Sequence, residues 1–540
     1  MRPQWLVGWL LALCFANGCC LILKSETIVQ KSTHTSVVTQ LPSGARIQGR
    51  LIDGVPTYSG IRYATARRFE APELWTPSPN ETIHAEGVGP RCPQAESLQL
   101  VGTEDCLFLG VVAPDTAEAK AVMVFIHGGT LVDDRGDPSE YSFQALASEG
   151  GVVVVSIEYR LNFFGFYSDP ESTSQNNGLR DQIAALQWVQ QHIRSFGGDP
   201  ERVTIFGQSA GGLSVLALFQ SPLAQELFHR GIAQSPGYWG PAQFHVSSSE
   251  AFASMGQECL RATGCSTSEC LRQLSMQKIY ELCPKWFTPG MWVNDPGAYF
   301  AGSDGQVLRE PLHTPLCEGR AVASSQKPLI TGSLSHEFFL DTELYLPSAP
   351  LDKILSQYTK GYASANASAK DRIFQCVRSR YMDAAVADGT PPDWFHLNGH
   401  LEYMLAAQLG AATVGGPRYR YLLDFGAPQD SSHMTDMCYL TSTDPSTANA
   451  GPQLHFCGPN SLTAEKKRMG RMLREYWSSF AKTGVPTSAL GPKWEPVDPS
   501  TGLVALPLLG LRFHNSSAMD YAAYNQTAAL LAGINCGHND

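Results

Sequence analysis

Residues 203–211 read Val-Thr-Ile-Phe-Gly-Gln-Ser-Ala-Gly, an apolar run that leads into the pattern G-x-S-x-G. The run predicts a short buried strand, and the residues from Gly211 to Phe219 predict a helix directly after it. A serine at such a strand-to-helix turn is forced into a strained backbone conformation that projects its hydroxyl from the edge of the sheet. Ser209 is therefore a candidate nucleophile, and the alternative is an ordinary tight turn between a strand and a helix.

The sequence on either side of this segment alternates between strand and helix patterns. Residues 121–126 and 151–157 are near-continuous apolar runs, which is typical of strands covered on both faces. Residues 179–195 predict a helix that stops at Gly197-Gly198-Asp199-Pro200, and the apolar spacing over residues 469–480 predicts another helix. This alternation predicts an α/β fold with a large central, mostly parallel sheet flanked by helices.

A glycine-rich turn follows the predicted strand at residues 121–126. His127-Gly128-Gly129 comes directly after it, and the two glycines let backbone N–H groups approach a substrate carbonyl that a Cβ would obstruct. The N–H groups of Gly128, Gly129 and Ala210 are therefore expected to form a three-donor oxyanion hole. The alternative is a plain glycine turn.

The composition disfavours several classes of partner. The 540 residues carry 39 Lys+Arg against 50 Asp+Glu, and a net charge of −11 does not suit nucleic acid or an anionic membrane surface. A charged share of 16% with 24 Phe, 19 Tyr and 10 Trp indicates a large core and not a disordered chain. Pairs such as Cys536 with His538 are too sparse for a zinc site, so no metal and no cofactor is expected.

The N-terminus predicts secretion. Arg2 precedes an apolar run at residues 6–16, and Ala16-Asn17-Gly18 offers a cleavage site, so residues 1–18 are interpreted as a signal peptide cleaved between 18 and 20. The run is shorter than the roughly 20 residues of a spanning helix. Secretion makes disulfide bonds the default for the cysteines. It also makes four N-x-[ST] sequons candidate glycosylation sites: Asn80, Asn366, Asn515 and Asn525.

Several longer segments resemble the type-B carboxylesterases, the family that includes cholinesterases, juvenile hormone esterases and the α/β-hydrolase-fold adhesion proteins. The resemblance runs from about residue 37 to residue 500 and implies one α/β-hydrolase domain, over residues 25–536, with the catalytic order serine, glutamate, histidine. It is carried by these segments: Gly60-Ile61-Arg62-Tyr63-Ala64, Glu104-Asp105-Cys106-Leu107, Tyr159-Arg160-Leu161, Asn177-Gly178-Leu179-Arg180-Asp181-Gln182, Phe196-Gly197-Gly198-Asp199-Pro200 and Gly207-Gln208-Ser209-Ala210-Gly211-Gly212.

The resemblance implies which carboxylate completes the site. The family places its acid in a segment of the form Gly-x-x-x-x-Glu, after the serine. Here residues 327–332 predict a strand that ends in glycine, and Glu337 lies five residues beyond that glycine. We therefore assign the acid to Glu337, with Asp341 as the fallback.

The histidine follows the acid in the same order. Residues 418–425 predict the next strand, and His433-Met434-Thr435-Asp436 beyond it resembles the family's His-x-x-Glu/Asp. His433 is therefore the expected general acid/base, with His455 as the runner-up. The sequence around His433 departs from the family pattern in two places. Asp430 stands where the family usually has glycine, and residues 441–453 look like an insertion.

The resemblance also bears on disulfide bonds and on substrate. The first implied disulfide loop encloses 13 residues without an aromatic side chain, whereas cholinesterases carry a choline-binding tryptophan there and some lipases carry a long lid. This favours a general or dedicated carboxylesterase. Two pairs are implied by the resemblance and a third, more speculative pair flanks the insertion: Cys92–Cys106, Cys265–Cys270 and Cys438–Cys457.

Together these features predict a secreted serine carboxylesterase that hydrolyses small-molecule esters through an acyl-enzyme on Ser209. The alternatives are a catalytically silent adhesion or binding module, a narrow-specificity hydrolase of a hormone ester, and a protease or thioesterase with the same triad. The silent module is disfavoured because such proteins typically lose the serine or one of its partners. Thr130 stands where the family commonly has Gly or Ala, which predicts slower turnover.

Overall fold

The computed structural model describes part of the chain. Six residues named above lie outside that part, namely Asp341, Asp430, His455, Cys457, Cys536 and His538. The predicted signal peptide, residues 442–453 of the suspected insertion and the sequons at Asn366, Asn515 and Asn525 also lie outside it. The described residues are 35–114, 119–138, 141–169, 172, 174–237, 246–247, 249–287, 301–310, 326–335, 337, 415–423, 425, 431–441 and 463–497.

The described strands include long buried ones and short peripheral ones. In chain order they are β1 (Ser36–Gln40), β2 (Arg46–Ile52), β3 (Val55–Arg62), β4 (Ala64–Thr65), β5 (Glu73–Leu74), β6 (Thr82–His84), β7 (Gln94–Glu96), β8 (Gln99–Val101), β9 (Phe108–Val112), β10 (Lys120–Ile126), β11 (Val153–Ile157), β12 (Gly198–Gln208), β13 (Arg230–Gln234), β14 (Val246–Ser247), β15 (Ala301–Gly302), β16 (Leu329–Leu334) and β17 (Arg418–Leu423).

The described helices lie mostly between these strands. They are α1 (Gln144–Gly150), α2 (Asn162–Phe166), α3 (Asn177–His192), α4 (Ala210–Gln220), α5 (Ser249–Thr263), α6 (Ser268–Gln273), α7 (Met276–Leu282), α8 (Thr435–Thr441) and α9 (Ala464–Thr483), with 3-10 turns at Gly129–Leu131, Ile193–Phe196 and Pro284–Trp286. None of the helices described is both long enough and apolar enough to cross a membrane.

An eleven-stranded sheet organises these elements. Its order is β1-β2-β3-β9-β11-β10-β12-β13-β16-β17, with β6 paired to β2. From β11 to β17 along this order, each pair of neighbouring strands is parallel, whereas β1, β2, β3 and β9 pair antiparallel. The prediction of a large, mostly parallel central sheet flanked by helices is confirmed.

The alternation of side chains along β10 explains the two-sided core. Val122, Val124 and Ile126 belong to the apolar core that also contains side chains of α3 and α4. Met123 and Phe125 belong to the core that contains side chains of α1 and α9. Because successive side chains of a strand point to opposite faces, a fully apolar strand fills both cores.

The helix predicted around residues 469–480 is α9, and it begins and ends at residues typical of helix caps. Thr463 caps α9, because its side chain accepts a hydrogen bond from the Lys466 N–H at 3.2 Å. The helix ends at Gly484, which has a φ of 81°, a left-handed conformation that glycine adopts readily. Residues 179–195, predicted as one helix, form α3 followed by a 3-10 turn.

Three disulfide bonds lie within the described residues. Two are the pairs that the resemblance implies, Cys92–Cys106 and Cys265–Cys270. The third, Cys259–Cys283, joins two cysteines that sequence reasoning left unpaired, and it ties α5 to the end of α7. Cys438 is also disulfide-bonded, and the speculative pairing with Cys457 remains a prediction.

A buried ion pair ties α3 to the segment after β11. The Arg160 guanidinium donates from Nη2 to Asp181 Oδ1 at 2.7 Å and from Nε to Oδ2 at 2.8 Å. The Asp181 side chain is fully buried, and the Arg160 backbone N–H donates to it at 3.0 Å. A charge without its partner would be very unfavourable here, because burial removes the water that would solvate it.

We predict that Asp181→Asn lowers the free energy of unfolding by about 3–5 kcal/mol, because it leaves the Arg160 charge buried without a counter-ion. The measurement is urea unfolding at pH 7. Asp105→Asn is the matched control, since Asp105 pairs with Arg62 but is 61% exposed, and it should cost less than about 1 kcal/mol. Equal losses for both variants would contradict the prediction.

Candidate active site

The turn between β12 and α4 holds Ser209 in an unusual conformation. Its φ is 58° and its ψ is −125°, a region that residues with a Cβ rarely adopt. The turn is possible because the glycines around it let backbones come very close. A Cβ on Gly211 would lie 2.0 Å from the Ile126 carbonyl oxygen, and one on Gly207 would lie 2.5 Å from Gly211.

The loop after β10 runs directly beside this turn. A Cβ added to Gly128 would lie 2.8 Å from the carbonyl oxygen of Gln208 and 3.1 Å from Cβ of Ser209. Ala210 is the first residue of α4, where backbone N–H groups have no partner inside the helix. The residues predicted to form the oxyanion hole therefore lie next to Ser209, and their role as donors remains a prediction.

Tyr159 contacts His127 at the start of this loop, and sequence analysis did not predict that contact. The Tyr159 hydroxyl donates to the His127 carbonyl at 2.8 Å, and the two rings stack with centroids 4.3 Å apart. Burial lowers the pKa of His127 to about 3, so this imidazole is neutral and adds no charge beside the loop. The segment Tyr159-Arg160-Leu161 resembles the family, but nothing in the sequence indicated that Tyr159 would contact His127.

Thr130 occupies a strained position in the same loop. Its φ is 54°, and a β-branched residue rarely adopts a positive φ. Its hydroxyl donates to the Gly129 carbonyl at 2.8 Å. The Thr130 hydroxyl therefore stabilises the turn in which Thr130 itself lies.

A carboxyl group also lies against the loop. A Cβ on Gly129 would lie 2.5 Å from Asp133 Oδ1. Burial, assisted by the neighbouring Asp134 charge, raises the pKa of Asp133 to about 7. Near neutral pH the Asp133 carboxyl is therefore partly protonated, which limits the negative charge beside the predicted oxyanion hole.

Glu337 and His433 meet directly. The imidazole Nδ1 lies 2.7 Å from Glu337 Oε2, and the His433 backbone N–H donates to the Glu337 carbonyl at 3.0 Å. The other carboxylate oxygen, Oε1, accepts bonds of 2.7 Å from the Ser235 hydroxyl and the Leu334 N–H. These bonds fix the carboxylate, which is 2% exposed, so that one oxygen faces the ring.

The imidazole is connected to the serine turn by the side chain of Gln208. The amide nitrogen of Gln208 lies 3.1 Å from His433 Nε2, and Gln208 directly precedes Ser209 in the chain. Ser209, Glu337 and His433 follow β12, β16 and β17, whose carboxyl ends lie at one edge of the parallel part of the sheet. Glu337 and His433 are thus in contact, Ser209 follows a strand that ends at the same edge, and the assignment of the three as a triad remains a prediction.

Asp436 lies three residues beyond the histidine, in the first turn of α8, and is buried. It accepts from the Gln234 amide at 2.7 Å and from the Tyr421 hydroxyl at 3.2 Å. Burial raises the pKa of Asp436 to about 6, and the bond from Gln234 opposes this shift.

Among the described residues, no group of His, Cys, Asp and Glu is arranged to hold a metal ion.

Comparisons with known proteins identify the family of this chain. A family model described as the carboxylesterase family matches residues 34–506. The para-nitrobenzyl esterase of Bacillus subtilis is 29% identical over 496 residues, which cover 84% of this chain and 91% of that protein. Liver carboxylesterase 1 of Mus musculus is 30% identical over 429 residues, 75% of this chain and 74% of that protein.

Solved structures show the same likeness. A thermophilic para-nitrobenzyl esterase matches with a TM-score of 0.68 and 26% identity, covering 86% of this chain and 94% of its own. A carboxylesterase of Geobacillus stearothermophilus matches with a TM-score of 0.66 and 27% identity, with the same coverage. The fold is thus that of the α/β-hydrolases. The chain belongs to the carboxylesterase family and is a carboxylic ester hydrolase.

We predict that Gly211→Ala destabilises the fold by about 3 kcal/mol or more, because the new Cβ would overlap the Ile126 carbonyl oxygen and the strand behind it cannot retreat. The measurement is the urea midpoint together with esterase activity, which should be lost. Gly87→Ala is the control, since a Cβ there meets nothing within 4 Å, and it should behave like the unaltered protein. Normal stability of Gly211→Ala would refute the close approach.

Proposed function

We propose that the protein hydrolyses carboxylic esters through an acyl-enzyme on Ser209, with His433 as general acid/base and Glu337 as its orienting acid. The observation that carries this proposal is the 2.7 Å contact between His433 Nδ1 and Glu337 Oε2, beside the strained serine turn. A carboxylate on Nδ1 leaves Nε2 as the basic nitrogen. A neutral serine hydroxyl needs such a base to become a nucleophile.

In the first half of the reaction, the Ser209 oxygen bonds to the ester carbonyl carbon while its proton moves to His433 Nε2. The carbonyl oxygen becomes an oxyanion that accepts hydrogen bonds from the N–H groups of Gly128, Gly129 and Ala210. The bond to the alcohol oxygen then breaks, and the imidazolium returns the proton to the departing alcohol. The acyl group remains on the serine.

In the second half, His433 takes a proton from water, whose oxygen bonds to the acyl carbon. The second tetrahedral intermediate collapses, the proton passes to the serine oxygen, and the carboxylic acid leaves. Glu337 orients the imidazole and stabilises the imidazolium that forms in each half. The bonds from Ser235 and Leu334 to its other oxygen support this role, because they hold the carboxylate in place.

We also propose that the substrate is an ordinary carboxylic ester and not a choline ester. The loop closed by Cys92–Cys106 contains the short hairpin of β7 and β8, and it has no aromatic side chain to attract a quaternary ammonium ion. At the tip of the hairpin, Leu98 is 80% exposed. Such a small hairpin covers little apolar surface.

Secretion and glycosylation belong to the same proposal. Three disulfide bonds within the described residues suit an oxidising compartment and support the interpretation of residues 1–18 as a signal peptide. Asn80 is exposed at a turn, as an acceptor for a glycan must be. Treatment of the protein from a secreting cell with an N-glycosidase tests the sequons by the loss of mass.

The nucleophile is tested by labelling with a fluorophosphonate. We expect the serine oxygen to displace fluoride from phosphorus, so that one adduct maps to the peptide that contains Ser209. Ser209→Ala should not be labelled, whereas Ser148→Ala, an exposed serine on α1, should be labelled like the unaltered protein. A folded protein that stays unlabelled would favour the silent adhesion module.

The acid is tested by Glu337→Gln. We expect kcat for p-nitrophenyl acetate to fall roughly 10²- to 10⁴-fold, because an amide can stabilise neither the right tautomer nor the imidazolium. Glu281→Gln, on the exposed surface of α7, is the control and should change kcat by less than about twofold. A loss below tenfold in Glu337→Gln would redirect the assignment to Asp341.

A further inference from the structure

Asp133 lies in the loop after β10, and the ester mechanism above gives it no role. A Cβ on Gly129 would lie 2.5 Å from Asp133 Oδ1, and a Cβ on the preceding Gly128 would lie 3.1 Å from Cβ of Ser209. Because a carbon–carbon bond adds about 1.5 Å and consecutive Cα atoms are about 3.8 Å apart, Oδ1 is within about 12 Å of the serine Cβ. A substrate of ordinary size on the serine therefore reaches this carboxyl group.

The accessible surface of this loop includes Asp133. Gly129, Thr130 and Asp133 are half-buried, whereas Val132 and Asp134, on either side of Asp133, are buried. The accessible carboxyl group thus lies on the same loop as two accessible residues beside the serine turn, and it is not part of the apolar core.

Buried amide side chains hold the backbone on both sides of Asp133. Gln94, the first residue of β7, accepts from the Asp134 N–H at 3.0 Å and donates to the Asp134 carbonyl at 2.9 Å. Asn162 donates to the Val132 carbonyl at 3.1 Å. The carboxyl group is therefore attached to a fixed backbone, as a group that distinguishes between substrates must be.

The ionisable neighbours of Asp133 leave its negative charge uncompensated. Burial and the charge of Asp134 raise the pKa of Asp133 to about 7. Burial raises the pKa of the nearby Tyr159 well above its usual value, so that phenol is neutral. Arg135 lies with its Nε 3.9 Å from Glu158 Oε1, and within the described part of the chain no cationic side chain forms an ion pair with Asp133. A positive group on a substrate could therefore act as its counter-ion.

We propose that Asp133 is a specificity-determining residue whose carboxylate favours esters that carry a protonated amine and disfavours esters that carry a carboxylate. An ammonium N–H can donate a charge-assisted hydrogen bond to Asp133, whereas a second negative charge is repelled. This inference rests on the proposed function, because it needs an ester bound at Ser209. It goes further in stating which charge on the substrate the protein selects.

The test compares three aryl acetates that differ only in the para substituent. Dimethylaminomethyl is protonated below pH 8, isobutyl has the same shape without a charge, and carboxymethyl is ionised. At pH 8, Asp133→Asn should lower the ratio of kcat/KM for the ammonium ester to that for the isobutyl ester by about 3- to 10-fold, as expected of an ion pair at a half-buried position. The corresponding ratio for the carboxymethyl ester should rise.

Asp53→Asn is the matched control. Asp53 is exposed at the turn between β2 and β3, and its substitution removes the same charge from the molecule. Both ratios should stay within about 1.5-fold of those of the unaltered protein, because salt screens a distant exposed charge. Equal changes in the two variants would assign the effect to net charge and overturn the role of Asp133.

A second measurement needs no variant. In the unaltered protein the ratio of ammonium ester to isobutyl ester should rise about 3-fold or more between pH 6 and pH 8, because Asp133 ionises in this range. Protonation of His433 slows all three esters alike and cancels in the ratio. In Asp133→Asn the ratio should stay constant over the same range.

The outcomes keep the two proposals apart. If the isobutyl ester is hydrolysed and fluorophosphonate labels Ser209, but the ratio neither changes with pH nor responds to Asp133→Asn, the role of Asp133 is overturned and the acyl-enzyme stands. If none of the three esters is hydrolysed and Ser209 stays unlabelled, the proposed function is rejected and this inference falls with it.

Discussion

The site depends on a backbone conformation at Ser209 that an L-residue avoids. The turn holds a φ of 58° because β12 and α4 pass within contact of β10, where a Cβ on Gly211 would overlap the Ile126 carbonyl oxygen. Strain of this kind persists only when the surrounding structure imposes it. Here the imposing structure is the most deeply buried part of the sheet, with apolar cores on both faces.

The same sheet brings together residues that are far apart in sequence. Glu337 lies 128 residues after the serine and His433 lies 96 residues after Glu337, yet each follows a parallel strand that ends at one edge. Parallel neighbours place consecutive carboxyl ends side by side. The hydrogen bonds from Ser235, at the end of β13, and from Leu334, at the end of β16, then fix the carboxylate between those strands.

The sequence predicted those parts of the molecule whose chemistry is local. The fold class, the strands 121–126 and 203–206 and the serine turn follow from periodicity and glycine placement, and the structure agrees with them. The bond Cys259–Cys283 could not be derived, because the pairing of cysteines depends on which helices pack together. The same holds for the contacts of Tyr159 and Gln208, which are made across the fold and leave no spacing pattern in the chain.

Two glutamine side chains contact ionisable groups of this site. Gln234 donates to Asp436 and accepts from the Trp477 indole at 3.2 Å, while Gln208 occupies the corresponding place beside His433. An amide satisfies a buried polar neighbour without adding a charge that burial would make costly. The two glutamines therefore fill the space beside His433 and Asp436 without placing a further charge in the buried site.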